Sequence, residues 1–457
     1  MEIGWSTKEE KKLEREELEV EILTEEEKRE LRRRRRKRNQ LIARISLLLF
    51  IIMISALVAG GIYIIKKNIE KEISDIPTEE VAAEEINIEI SMEEEVIEEE
   101  VTETQEFNSE QVLDEVISSI ISEMTIEEKA AALFIVTPED ITGVDTAVQA
   151  GEGTKEAMET YPVGGLVYHK KNIKSEDQLK EMISNSVSYS KYPIFMGIEE
   201  EGGEFSPVAD TLKLSKVSSM SEVGQTLDST KAKEAMAQIG TYLSGYGFNL
   251  NLGLVADIAE EGGNLKSRSF SADATEVINM TTAALEGMEE TGITAAIKYF
   301  PGMGSAKDKT SEKVVVIDKS KEELLQKELL PYISLIQSGA EMIMVGHGSY
   351  PQISGDNTPA SLSREIITDL LRTELGFNGI VITDALNKAA VTEYYGADEA
   401  AVKALKAGAD MILMPEDFKS AYEGILKAVE EETISEERID HCLKRIYRVK
   451  YKDSVGE

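Results

Sequence analysis

Five polar residues stand at or near the ends of short apolar runs: Glu199 in YPIFMGIE, Asp257 in FNLNLGLVADI, Lys298 in GITAAIKYF, His347 in EMIMVGH and Asp384 in GIVITDA. They are three carboxylates and two potential cations. Such a set suits a polyhydroxylated ligand, because vicinal hydroxyls need charged and hydrogen-bonding groups arranged in a ring. Taken singly, each residue reads equally well as a cap or turn residue, and Asp384 could N-cap the segment LNKAAV. Their recurrence at the same point of successive runs is what argues for a site.

Residues arranged in this way must be carried by a common scaffold. The runs GGLVYH, YPIFMGIE, FNLNLGLVADI, GITAAIKYF, EMIMVGH, GIVITDA and ADMILMP alternate with amphipathic segments such as SKEELLQKELLPYISLIQSG and SREIITDLLRTELG. Continuous apolar strands alternating with helices predict an α/β fold with a buried parallel sheet. The number of units across residues 112–457 favours a closed (β/α)8 TIM-like barrel, whose strand ends converge on one face. Thr125 followed by Glu128 reads as a capping box opening a helix over TIEEKAAALFIV.

The remaining N-terminal part has a different composition. Residues 1–44 mix acidic and basic residues and end near the basic run Arg32–Arg38. Residues 45–65, ISLLLFIIMISALVAGGIYII, carry no charge and are long enough for a single transmembrane helix. A cleaved signal peptide would have a shorter apolar run, closer to the N-terminus. Seven cations before the span, against Lys66 and Lys67 just after it, place the N-terminus in the cytoplasm and the barrel domain outside the cell. Residues 66–111 are dominated by Glu and read as an acidic linker holding the domain off the bilayer. A formal net charge of −36 excludes nucleic acid as the main partner. The single cysteine, Cys442, excludes an intrachain disulfide and a cysteine-based metal cluster.

Several ordered segments resemble glycoside hydrolase family 3. Lys298-Tyr-Phe-Pro-Gly-Met-Gly304 is similar to that family's Lys-His-Phe-Pro-Gly-His-Gly signature, and Val381-Ile-Thr-Asp-Ala-Leu-Asn387 looks like the strand bearing its nucleophile. Glu199-Glu-Glu-Gly-Gly203 resembles its Asp-Gln-Glu-Gly-Gly turn. Phe248-Asn249-Leu250, Asp257 and Arg268-Ser-Phe270 fall in the expected order, and Thr125-Ile-Glu-Glu-Lys129 matches the usual opening. The end of the chain after the barrel is similar to the single-domain β-N-acetylglucosaminidase (β-N-acetylhexosaminidase) branch.

That resemblance implies retaining hydrolysis of terminal β-linked N-acetylhexosamine, with Asp384 as nucleophile. It also implies substrate binding by Glu199, Arg268, Lys298, Tyr299 and His347, and no metal or organic cofactor. In the same branch the acid/base is a histidine paired with an aspartate on the loop after the signature. Here that loop reads SAKDKTSEKVVVID, with Lys309 and Ser311 at the two positions. Tyr299 and Met303 replace the signature's histidines, and Glu204 stands where an arginine is common. Asp308 or Glu312 are then the candidate substitute proton donors, provided a loop carboxyl reaches the leaving oxygen with a raised pKa. Two expectations follow: a membrane-anchored hydrolase acting on cell-wall or glycan fragments, or a catalytically impaired barrel that binds a sugar or a protein partner at the cell surface.

Overall fold

Ten strands form among the described residues, most of them on short apolar runs, and eight of them make one parallel sheet. In this computed structural model, which describes residues 111–452, the strands are β1 (Phe134–Val136), β2 (Gly165–Tyr168), β3 (Phe195–Ile198), β4 (Leu250–Val255) and β5 (Thr294–Phe300). They continue with β6 (Val315–Val316), β7 (Met342–Val345), β8 (Gly348–Ser349), β9 (Ile380–Thr383) and β10 (Ile412–Leu413). The large sheet runs β10-β1-β2-β3-β4-β5-β7-β9. A parallel bridge from Ile382 to Met411 brings its two ends together, and Thr383 N donates to Met411 O at 3.1 Å. The sheet is therefore a nearly closed barrel, consistent with the expected TIM-like architecture. Every residue of its strands is buried, as strands enclosed by a layer of helices must be.

Three local outcomes differ from the sequence reading. The segment TIEEKAAALFIV is not one helix: Thr125 does form the expected capping box, but the helix stops at Ala131 and LFIV enters β1. The run Phe134-Ile-Val136 is short, apolar and largely β-branched, so pairing between β10 and β2 wins over helix continuation. The segment SKEELLQKELLPYISLIQSG divides into Lys321–Gln326 and Leu330–Gln337, with Pro331 in the first turn of the second helix. Proline has no N–H to offer the preceding turn, so it starts the new helix instead of continuing the old one. The helix at Glu365–Glu374 is wound as a π-helix, with Leu375 N donating to Leu370 O at 2.9 Å.

A two-stranded pair, β6 with β8, ties the loop after β5 to the segment after β7 at the C-terminal end of the barrel. Among the described residues no helix is long and apolar enough to cross a membrane. The predicted cytoplasmic segment 1–44, the span 45–65 and all but the last residue of the linker 66–111 lie outside the described residues.

Candidate active site

Because the strands are parallel, their C-terminal ends deliver side chains to one face. Glu199 follows β3 directly, Asp257 lies two residues past β4, Lys298 and Tyr299 lie just before Phe300 at the end of β5, His347 lies two past β7, and Asp384 follows β9. A cavity of about 430 Å³ opens there, within the range of small-molecule sites. Glu199, Arg268, Tyr299 and Asp384 line it, as do Lys309, Thr310 and Ser311 of the loop after β5.

The turn after β3 shows how neighbouring residues are sorted. Glu200 points inward, fully buried, and accepts from Val208 N at 2.8 Å, Ala209 N at 3.1 Å and the Tyr242 hydroxyl at 2.7 Å. Glu199 and Glu201 take the opposite side and share two cations. Lys298 Nζ donates to Glu199 Oε1 at 2.6 Å and meets Glu201 Oε1 at 2.5 Å. Arg268 donates to Glu199 Oε1 at 3.0 Å and to Glu201 Oε2 at 2.7 Å. Main-chain bonds from Glu201 N to Phe205 O (2.7 Å) and from Phe205 N to Gly202 O (3.0 Å) lock the turn. Gly202 has φ 94°, and a Cβ there would lie 2.7 Å from Ser218 O, so glycine is required on both counts.

These contacts fix the charges. Lys298 is 1% exposed, and burying it is tolerable only because it is paired and hydrogen-bonded. Partial burial opposes ionisation of Glu199, but Lys298 and Arg268 outweigh it and hold the carboxyl below the usual range. Arg268 also donates to the Tyr299 hydroxyl at 2.8 Å and stacks over the Phe205 ring at 4.5 Å. Burial raises the Tyr299 phenol above its ordinary value, so it stays protonated. Arginine can only donate, so the Tyr299 oxygen accepts that bond and keeps its own proton for another partner.

Asp384 is 4% exposed and accepts from Ala385 N at 2.8 Å. Lys388, four residues on across a tight turn and at the N-cap of the short helix Ala389–Thr392, donates to both of its oxygens at 2.8 and 2.6 Å. Burial works against the Asp384 charge; Lys388 overcomes it and lowers the carboxyl below its ordinary value. Sequence reasoning did not single out Lys388, because the pair forms across a turn that helical spacing does not describe. Glu201, two residues past Glu199 and therefore on its side of the turn, was likewise readable and was not named.

Other expected site residues stand elsewhere. His347 does not line the cavity: it is fully buried, with Nδ1 2.7 Å from Ser361 Oγ and Nε2 2.8 Å from Ala385 O. A carbonyl only accepts, so Nε2 carries the proton; burial holds the ring below its ordinary pKa, and Nδ1 accepts from Ser361. The residue braces the turn that carries Asp384. Asp257 is a second brace, accepting from the main-chain N–H groups of Tyr299 (2.7 Å) and Met303. Burial pushes its carboxyl up to about 6, against the pull of those two bonds. Asp308 and Glu312, the candidate substitute proton donors, do not line the cavity either. Asp308 pairs with Lys313 at 2.9 Å on the exposed side of the loop, and Glu312 is exposed.

The loop itself is well anchored. Asn264 N donates to Ala306 O at 2.8 Å, and Ala390 N to Thr310 O at 3.1 Å. A Cβ on Gly304 would sit 1.8 Å from Ile258 O, so this close approach requires glycine. The chain has three histidines, and none lines the cavity: His169 lies 3.4 Å from Met414 Sδ, and His441 is on the last helix. Among the described residues no group of three or more His, Cys, Asp or Glu could hold a metal ion.

Comparison with known proteins places this geometry. A β-hexosaminidase of Idiomarina loihiensis is 29% identical over 311 residues, covering 66% of this chain and 91% of that protein. β-Hexosaminidase A of Pseudoalteromonas piscicida is 27% identical over 328 residues, 65% of this chain; the match spans only 54% of that protein. A solved family 3 β-N-acetylglucosaminidase from a Paenibacillus species superposes with a TM-score of 0.68 at 29% identity, covering 73% of this chain and 64% of its own. Residues 125–449 match the model of the glycosyl hydrolase family 3 N-terminal domain, and the chain belongs to that family.

Proposed function

We propose that the protein is a retaining glycoside hydrolase that removes terminal β-linked N-acetylhexosamine from cell-wall or glycan fragments, and that it works outside the cell on a membrane anchor at residues 45–65. The observation that carries the hydrolase reading is the position of Asp384: a buried carboxylate at the end of β9, kept ionised by Lys388 and lining a sugar-sized cavity. Its oxygen attacks the anomeric carbon, the glycosidic bond breaks, and a covalent glycosyl-enzyme forms that water then hydrolyses. Glu199, Arg268 and Tyr299 provide the charged and hydroxyl partners for the sugar, while Lys298, outside the cavity lining, holds Glu199 in place. Glu199 is the most open of them, with 44% of its side chain exposed. The names of the relatives favour an N-acetylhexosamine at the cleaved position.

The test is release of the aryl group from an aryl β-N-acetylglucosaminide by the full chain. Asp384→Asn should lower turnover by roughly 10⁴-fold or more. Saturable sugar binding without any release by the unmodified protein would remove the hydrolase reading.

A further inference from the structure

Hydrolysis with retention needs a second group that protonates the departing oxygen and later takes a proton from water. The loop after β5 presents Lys309, Thr310 and Ser311 to the cavity. Two of these are hydroxyls whose side chains make no hydrogen bond to a basic group among the described residues, and the third is an ammonium. The loop's carboxylates, Asp308 and Glu312, do not line the cavity.

Three carboxylates do line it: Glu199, Asp384 and Glu204. Two are committed to cations, Glu199 to Lys298 and Arg268, and Asp384 to Lys388. A carboxylate held by an ammonium is a poor proton carrier, since protonation would break the pair. Glu204 has no ion pair or side-chain hydrogen bond among the described residues. It also sits on a stiff support. The preceding Glu201 is buried between Lys298 and Arg268, and the following Phe205 is stacked on the Arg268 guanidinium. Gly203 N is tied to Val217 O at 2.9 Å. The turn therefore carries an unpaired carboxyl to a cavity that Asp384 also lines.

We infer that Glu204, on the turn after β3, is the general acid/base of this site, replacing the loop after β5 in that role. The inference rests on the hydrolase reading above. In the first step the Glu204 carboxylic acid gives its proton to the glycosidic oxygen as the C1–O bond breaks. Asp384 meanwhile forms its bond to C1 from the opposite side. In the second step the Glu204 carboxylate takes a proton from water, the water oxygen bonds to C1, and the ester to Asp384 breaks. Both steps balance with substrate and water alone.

The experiment compares two aryl β-N-acetylglucosaminides on the full chain, one with a phenol leaving group and one with 2,4-dinitrophenol. Proton donation matters for the first and hardly for the second. Glu204→Gln should cut kcat/KM on the phenyl glycoside by about 10²–10⁴-fold while largely sparing the dinitrophenyl glycoside. In Glu204→Ala, added azide should speed turnover of the dinitrophenyl glycoside and release a glycosyl azide. A loss merely from misfolding would affect both substrates alike and would not respond to azide. Equal losses on the two substrates, or the same selective pattern in Lys309→Ala with Glu204→Gln unaffected, would each overturn the assignment. No turnover of either substrate by the unmodified protein removes the hydrolase reading, and this inference with it.

Discussion

Lys388 determines how Asp384 behaves. A buried carboxylate without a partner would take up a proton, because burial penalises the charged form. The two bonds from Lys388 Nζ reverse that and keep the Asp384 carboxylate ionised into mildly acidic conditions. They also engage both oxygens, so an attacking lone pair must be drawn partly away from the ammonium. Lys388→Met, which keeps the length and removes the charge, should therefore shift the acidic limb of kcat/KM to higher pH, with activity falling most in acid. Lys388→Arg should retain the limb, since a guanidinium can also hold both carboxylate oxygens. Profiles of kcat/KM against pH for the three proteins provide the check. An unmoved limb in Lys388→Met would mean that the pair does not set the ionisation of Asp384.

At the scale of elements, the site depends on buried braces that never touch the cavity. His347 joins the segment after β7 to Ser361 and to the Ala385 carbonyl, next to Asp384. Its ring is buried neutral, below its ordinary value of about 6.5. Between those two values the unfolded chain binds a proton that the folded chain does not, so this contribution to stability is present above about 6.5 and lost as pH falls through the window. His347→Gln should cost about 1–3 kcal/mol near neutrality if the buried carbonyl and hydroxyl lose their partners. The variant should also lose less of its remaining stability on acidification than the unmodified protein does. Urea midpoints at about pH 7.5 and about pH 5.5 measure both effects, and identical acid losses in the two proteins would exclude a role for the ring's titration. Glu199, Lys298 and Asp384 were legible in the sequence because each ends a strand whose apolar run is obvious, and strand ends of a parallel barrel converge. Strand β1 was not, since LFIV continues a good helical pattern and only pairing with β2 and β10 decides its fate. His347 was read as a lining residue because a strand end gives position but not direction. The inward turn of its ring depends on Ser361 and Ala385, 14 and 38 residues away.

For the whole molecule the charge distribution is the dominant fact. The net charge of −36 is spread over a chain whose basic run, Arg32–Arg38, lies just before the apolar stretch 45–65. If helical, that stretch would rise about 1.5 Å per residue and reach about 30 Å, the thickness of a bilayer's hydrocarbon core. Cations kept on the cytoplasmic side orient such a span. Cys442, the only cysteine, is fully buried, so a thiol introduced elsewhere can be labelled against a silent background. Ser109→Cys, beyond the span, should react with a membrane-impermeant maleimide in intact cells. Ser6→Cys, before it, should react only after the membrane is opened. Labelling of both in intact cells would exclude a cytoplasmic N-terminus, and labelling of neither would place the barrel on the cytoplasmic side and its glycan substrates with it.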